Sequence, residues 1–156
     1  MNYPMTKECY EKLKRELEHL KKVERPKVIK DIAEARAHGD LSENAEYDAA
    51  KERQGMIEAK IRELEGKLSR AVIVDPSKIS TDKVAFGLKV KILDLNTDEE
   101  FTYQIVSEDE ADINIGKISY TSPIGKALLG KKEGDIVKVQ VPIGTKELEI
   151  LSIEKP

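Results

Sequence analysis

From Tyr47 onward, Ala50, Gln54, Ile57, Ile61, Leu64, Leu68 and Ala71 recur at alternating spacings of three and four. That period is the seam of a coiled coil, and a stripe this narrow cannot serve a broad core, so the helix needs a second helix to lie against. The preceding stretch supplies one. Thr6 is placed to cap a helix start with Glu8 in its first turn, where an acid suits the helix dipole. Tyr10, Leu13, Leu17 and Leu20 then follow three-four spacing, and after a phase change Val28, Ile29, Ile32, Ala33 and Ala35 continue an apolar stripe towards Gly39. Pro26 removes one helix hydrogen bond near the middle, which predicts one bent helix rather than two. A short link joins the two periodic segments, so they fold back antiparallel as a rod about 45 Å long.

The turn of that hairpin is chemically distinct. Asp40, Glu43, Glu46 and Asp48 fall between positions 40 and 48 with no Lys or Arg among them, although 37% of the chain is charged. Asp40-x-x-Glu43 has the spacing of a capping box, in which Asp40 accepts from early amides of the second helix and Glu43 reaches back. The same two carboxylates, on a hairpin tip, could share a hard divalent cation, which prefers oxygen ligands. The two roles compete for the same oxygens. Arg36, Lys51 and Arg53 flank the acidic tip, while Lys21, Lys22, Arg25, Lys27 and Lys30 cluster midway along the first helix; a solvated helix face accounts for either group.

Near Val74-Asp75-Pro76 the helical period stops, and residues 77–83 form a polar connector. The expected boundary divides residues 1–75, the hairpin, from residues 76–156, a small α+β domain. Strands are expected at residues 87–95 and 100–106, forming a hairpin over Asn96-Thr97-Asp98, and at 113–120, 136–141 and 148–153. Ser122, Pro123 and Gly130 mark the cap, first turn and end of one short helix. The fold class is therefore α+β: an antiparallel helical hairpin followed by an antiparallel sheet with one helix over a face. Composition agrees, since aromatics are 4% with no Trp, which fits thin buried seams rather than one thick core.

Several chemistries are excluded. His19 and His38 are the only histidines, both in the hairpin, so neither a His-dependent triad nor a multi-His zinc site can form in the sheet domain. No Gly-rich nucleotide cradle is present. Cys9, the one cysteine, has no intramolecular disulfide partner, which points to a reducing, cytoplasmic setting. There is no run of apolar residues long enough to span a membrane and no leader pattern, so no membrane association is expected. Residues 1–75 carry 16 Lys+Arg against 16 Asp+Glu, and residues 76–156 carry 11 against 14, so bulk charge does not predict nucleic-acid binding. Any catalysis rests on carboxylates. Two exposed carboxylates hold magnesium weakly by themselves, because that ion keeps most of its waters and takes further ligands from a partner.

The stretch Gly39-Asp40-Leu41-Ser42-Glu43-Asn44-Ala45-Glu46-Tyr47-Asp48-Ala49-Ala50-Lys51 resembles the tip signature of the bacterial transcript cleavage factors of the GreA/GreB family. The resemblance runs the length of the chain, through residues 98–103, Asp109-Glu110-Ala111-Asp112, Ser122-Pro123-Ile124-Gly125-Lys126-Ala127 and Leu129-Gly130-Lys131. It implies a second domain similar to FK506-binding proteins that docks at the rim of the RNA polymerase secondary channel through Ser122 and Pro123. It implies a hairpin that enters the channel, where the RNA 3′ end of a backtracked complex lies. Asp40 and Glu43 would then help hold a magnesium ion shared with the polymerase, and Arg36, Tyr47, Lys51 and Arg53 would meet the RNA. On that reading the chain is an accessory factor, not an enzyme. The competing readings are a channel-binding homologue that inhibits cleavage, a peptidyl-prolyl isomerase, and a chaperone or scaffold without metal chemistry.

Overall fold

In the computed structural model, which describes residues 2–37 and 45–156, the first helical stretch runs without a break from Lys7 to Ala37. It comprises α1 (Lys7–His19), one π turn (Leu20–Glu24) and α2 (Arg25–Ala37). Thr6 starts it as expected, its Oγ1 accepting from the Cys9 amide at 3.2 Å. The continuity expected through Pro26 is present, and its cause is specific. The Arg25 amide donates to the Leu20 carbonyl, an i to i−5 bond. The wider turn lies directly before a residue that has no N–H to give and whose ring would crowd a regular α turn.

α3 (Ala45–Ser69) is the second helix. Its pairings with the first run in opposite directions along the two helices: Lys21 with Glu65, Arg25 with Glu58, Asp31 with Arg53 and Arg36 with Tyr47. The hairpin is therefore antiparallel. Ala50, Ile61 and Leu64 are buried, and Tyr47, Gln54, Ile57 and Leu68 are half-buried, so the seam stands as its spacing predicts as far as Leu68. Ala71 does not belong to it, because the helix ends at Ser69 and Ala71 opens a strand. On the first helix the inward set is Val28, Ile32 and Ala35; Ile29 is 50% exposed and Ala33 is also exposed. Each of those two lies one residue, about 100°, past a seam position, and a pair of helices has no third surface to cover that face.

The chain divides into two units, Tyr10–Ala71 with residues up to Tyr3, and Val72–Pro156 with Pro4–Cys9. A short strand pair, β1 (Tyr3–Met5) with β2 (Ala71–Ile73), straddles the two points where the chain passes from one unit to the other. The second unit holds a five-stranded sheet of β3 (Lys89–Asp94), β4 (Glu99–Val106), β5 (Lys117–Ser119), β6 (Ile136–Val141) and β7 (Gly144–Glu154) in the order β5-β4-β3-β7-β6. The β3–β4 hairpin turns with Asp98 in the left-handed region at φ 63°, a conformation that Asp tolerates.

Two expectations for the sheet need correction. It is antiparallel except at β5, which runs parallel to β4. The strand expected over residues 113–120 is real only at β5. Residues 113–115 form a 3₁₀ turn started by Asp112, whose Oδ1 accepts from the Asn114 amide, and ended by Gly116 at φ 76°. The alternating isoleucines that suggested a strand there, Ile113 and Ile115, are 62% and 66% exposed.

One core fills this unit: Val84, Leu88, Val90, Ile92, Ile105, Ile118, Leu128, Val137, Val139, Leu148, Ile150 and Ile153. Leu128 comes from α4 (Pro123–Leu128), the expected short helix, with Ser122 as its cap and Gly130 at φ 79° beyond its end. Gly125 in α4 is required by close approach, because a Cβ there would stand 2.1 Å from the Ser119 carbonyl oxygen.

Candidate functional site

Asp40 and Glu43, together with Gly39-Asp40-Leu41-Ser42-Glu43-Asn44, lie outside the described residues, and so do the capping-box and metal-pair readings that rest on them. The helix ends that carry this stretch are described. Arg36, in the last turn of α2, donates from Nη2 to the Tyr47 hydroxyl at 3.5 Å, and its guanidinium lies 5.8 Å from the Tyr47 ring centroid. One cationic side chain thus joins the two helix ends on either side of the acidic stretch, with a cation–π contact adding to a long hydrogen bond.

A turn and a half further down, Arg53 reaches Asp31 Oδ2 at 3.5 Å. Lys51 is exposed and has no ion-pair partner among the described residues. Beside them a groove of about 560 Å³ opens between α2 and α3, lined by Asp31, Glu34, Glu46, Arg53 and the small residues Ala35, Ala49 and Ala50. The alanines make the space, since no side chain longer than a methyl fills the seam there. The sequence alone does not single out this groove, although Ala35 opposite Ala49-Ala50 is a visible signal once the antiparallel register is known. Of the four candidate RNA contacts, the structure therefore brings Arg36 and Tyr47 together, engages Arg53 with Asp31, and leaves Lys51 exposed.

The basic cluster midway along the first helix is largely neutralised within the hairpin. Lys21 meets Glu65 at 3.0 Å, Arg25 meets Glu58 at 2.8 Å, and Lys22 and Lys30 lie near Glu18 and Glu34. A face paired in this way is a solvated, salt-bridged surface, each bridge contributing about 0–1 kcal/mol.

In the other unit, the Ser122 hydroxyl is committed on both sides. It accepts from the Gly125 amide at 3.1 Å and donates to the Ser119 carbonyl at 2.7 Å. Pro123, at the first helical position, is exposed. Of the two expected docking residues, Ser122 builds the turn and Pro123 is exposed. Thr121 steadies the same turn, its Oγ1 donating to Glu108 Oε1 at 2.8 Å.

No group of three or more His, Cys, Asp or Glu among the described residues is placed to hold a metal ion. The chemistry of the tip pair itself, two carboxylates three residues apart, suits a hard cation that retains water and takes further ligands from elsewhere. No helix among the described residues is long and apolar enough to cross a membrane.

Two family descriptions match the chain: "Transcription elongation factor, N-terminal" over residues 3–73 and "Transcription elongation factor, GreA/GreB, C-term" over residues 79–155. The chain is 63% identical over 153 residues to transcription elongation factor GreA of Trichlorobacter lovleyi, covering 98% of this chain and 97% of that one. It is 64% identical over 151 residues to the GreA of Pelobacter propionicus, covering 97% and 96%, and 59% identical over 150 residues to that of Thermodesulfovibrio yellowstonii, covering 96% and 95%. Among solved structures, GreA factor homolog 1 of Thermus thermophilus is 33% identical, covers 99% of each chain and gives a TM-score of 0.47.

Proposed function

This chain belongs to the GreA/GreB family of transcription elongation factors, and from that membership we propose how it stimulates transcript cleavage by RNA polymerase. The unit built on the five-stranded sheet docks at the rim of the polymerase secondary channel, and the helical hairpin enters it. The RNA 3′ end of a backtracked complex meets the hairpin tip there. Asp40 and Glu43 are the side chains that would hold a magnesium ion shared with the polymerase. A metal bound between such carboxylates and the enzyme's own ligands supplies Lewis-acid stabilisation and lowers the pKa of coordinated water.

The remaining work falls to this chain's own groups. Arg36 and Tyr47 hold the two helix ends together around the acidic stretch. Lys51 and Arg53 offset the repulsion between that stretch and RNA phosphates. Hydrolysis belongs to the polymerase, and this chain is an accessory factor that donates carboxylates.

The observation that carries the reading is the unbroken signature from Gly39 to Lys51, set on helix ends that Arg36 and Tyr47 join. A prolyl-isomerase reading draws no support from the sheet unit. Its aromatics pair off as Phe86 with Tyr120 and Phe101 with Tyr103 rather than converging on one pocket. A cleavage-inhibiting role draws none from relatives that carry the elongation-factor name at 59–64% identity.

The test separates helix capping from chemistry at one residue. Asn caps a helix about as well as Asp, so Asp40→Asn keeps the cap while removing an anionic ligand. Shortening of the RNA in a backtracked complex should occur with the unaltered protein and collapse with Asp40→Asn. Competition for polymerase should be unchanged, and raised magnesium should partly restore activity by mass action. Full cleavage by Asp40→Asn at low magnesium would return Asp40 to a capping role. Absence of cleavage with the unaltered protein would remove the reading altogether.

A further inference from the structure

A second groove, of about 330 Å³, lies in the sheet unit between α4 and the edge strand β6. It is lined by Ala127, Leu129, Ile136 and Val137 together with Lys126, Lys131 and Lys138. Ile136 is 56% exposed, which folding alone does not explain, because alternate residues of β6 already supply the core through Val137 and Val139. Lys126 and Lys131 are exposed and have no ion pair among the described residues. Lys138 approaches Glu147 at only 3.9 Å.

The charge runs against its surroundings. Residues 76–156 carry 11 Lys+Arg and 14 Asp+Glu, yet three lysines line this groove beside four aliphatic residues. Clustering like charge around a concavity costs self-repulsion that a complementary partner relieves. The aliphatic residues narrow the choice of partner. Single-stranded nucleic acid would be met by phosphate-binding cations with aromatic rings for its bases, and no aromatic residue lines this groove. An aliphatic side chain flanked by carboxylates would match both the aliphatic and the cationic residues of the lining, the mixture of apolar and polar contacts found in protein interfaces.

We infer that the α4–β6 groove, with Lys126, Lys131 and Ile136, seats an acidic segment of RNA polymerase whose aliphatic side chain enters between the lysines. The inference rests on the proposed docking of this unit to polymerase and specifies the chemistry of the contact. Lys126 and the exposed Pro123 belong to the same short helix, so the groove would continue the surface offered by that turn.

The experiment measures binding of the full-length protein to core polymerase by competition with a labelled unaltered copy, at low and moderate salt, alongside RNA cleavage at saturating protein. Lys126→Glu/Lys131→Glu should raise the dissociation constant at least about tenfold at low salt, and Lys126→Gln/Lys131→Gln less. The difference from the unaltered protein should shrink as salt rises. Ile136→Ser should weaken binding with little change in salt dependence. Cleavage at saturation should be retained, because none of these residues lies at the hairpin tip. Lys78→Glu/Lys89→Glu, which makes the same change in net charge outside the groove, should bind normally.

Circular dichroism melting confirms that each variant is folded, and the glutamine pair serves if the glutamate pair is not. Unchanged affinity of folded groove variants, with the unaltered protein binding well, would overturn the inference and leave the docking reading intact. Failure of the unaltered protein to bind would overturn the docking reading itself. Loss of binding to free duplex DNA with polymerase affinity unchanged would overturn the inference by assigning the groove to nucleic acid.

Discussion

Thr6 donates from Oγ1 to Glu110 Oε1 at 2.7 Å across 104 positions of sequence, while the same oxygen accepts from the Cys9 amide as the cap of the first helix. One hydroxyl therefore starts a helix and fastens that start to the 3₁₀ turn at Glu108–Glu110. Residues Pro4–Cys9 belong to the sheet unit for this reason among others, with Met5 and Cys9 fully buried. Thr6→Ala removes both bonds and should destabilise the protein by about 1–2 kcal/mol, read as a lowered melting midpoint. Thr6→Ser keeps the hydroxyl and should lose far less. Equal loss in both variants would assign the effect to the Thr6 methyl group. A fragment beginning at Val74 leaves Ser107 and Glu110 without these partners, so it should melt below the sheet unit of the whole chain.

Cys9 gives the same corner a pH signature. Its sulfur lies 3.7 Å from the Ser107 hydroxyl, and both residues are buried. Burial is the main cause that pushes the thiol pKa up to about 11, with the Ser107 contact opposing and the nearby Glu110 and Asp109 carboxylates reinforcing. The folded state therefore holds a proton that the unfolded chain, with a thiol pKa near 9.0, gives up. Stability from this group is fully present below pH 9, and it falls as pH rises from there towards 11. Alkylation by iodoacetamide at pH 8 should be slow in the native protein and fast in denaturant. Rapid native alkylation at pH 8 would contradict both the burial and the raised pKa.

Two glycines should respond in opposite directions to the same methyl group. Gly55 is exposed within α3, and a Cβ added there would have no neighbour within 4 Å, so Gly55→Ala should stabilise the hairpin by about 0.5–1 kcal/mol through helix propensity. At Gly125 the added carbon would meet the Ser119 carbonyl at 2.1 Å and the Ser122 hydroxyl at 3.0 Å. Gly125→Ala should therefore cost about 1–3 kcal/mol or more as α4 is pushed from β5. Denaturant melts of the two variants check both signs, and a neutral Gly125→Ala would show that the turn at Ser119–Ser122 yields easily.

What could be read from the sequence follows the range over which each feature acts. The seam from Tyr47 to Leu68 and the caps at Thr6 and Ser122 depend on neighbours within a turn or two, so spacing and residue type sufficed. Ile29 and Ala33 misled because an apolar residue beside a seam looks like part of it until the number of packed helices is known. Ile113 and Ile115 misled because their alternation mimics a strand. The overriding signal was Asp112 followed by Gly116, an Asx-type start and a left-handed stop. The bond from Thr6 to Glu110 and the three lysines around the α4–β6 groove had no local signal, since each joins segments far apart in the chain. Asp40 and Glu43 lie outside the described residues, so only the contiguous sequence motif speaks for them.

The cations beside the tip allow a prediction whose sign distinguishes function from solvation. Lys51 is exposed without an ion-pair partner among the described residues, whereas Arg53 is held 3.5 Å from Asp31. Lys51→Ala should weaken crosslinking of the protein to the extruded RNA 3′ end and change stability by less than about 0.5 kcal/mol. Arg53→Ala should weaken it more, because it removes a cation and also leaves the Asp31 carboxylate without that partner beside a groove already lined by Glu34 and Glu46. Asp31→Asn makes the opposite change, releasing Arg53 and removing one negative charge, and crosslinking should strengthen. The lost exposed ion pair costs about 0–1 kcal/mol of stability, too little to unfold the hairpin. All three effects should shrink with added salt as the Debye length falls towards a few ångströms. A purely solvated face gives no change in crosslinking for Lys51→Ala and none for Asp31→Asn. A gain for Asp31→Asn with a loss for Arg53→Ala cannot arise from breaking the ion pair alone, since both variants break it, and therefore assigns the Arg53 charge to the RNA.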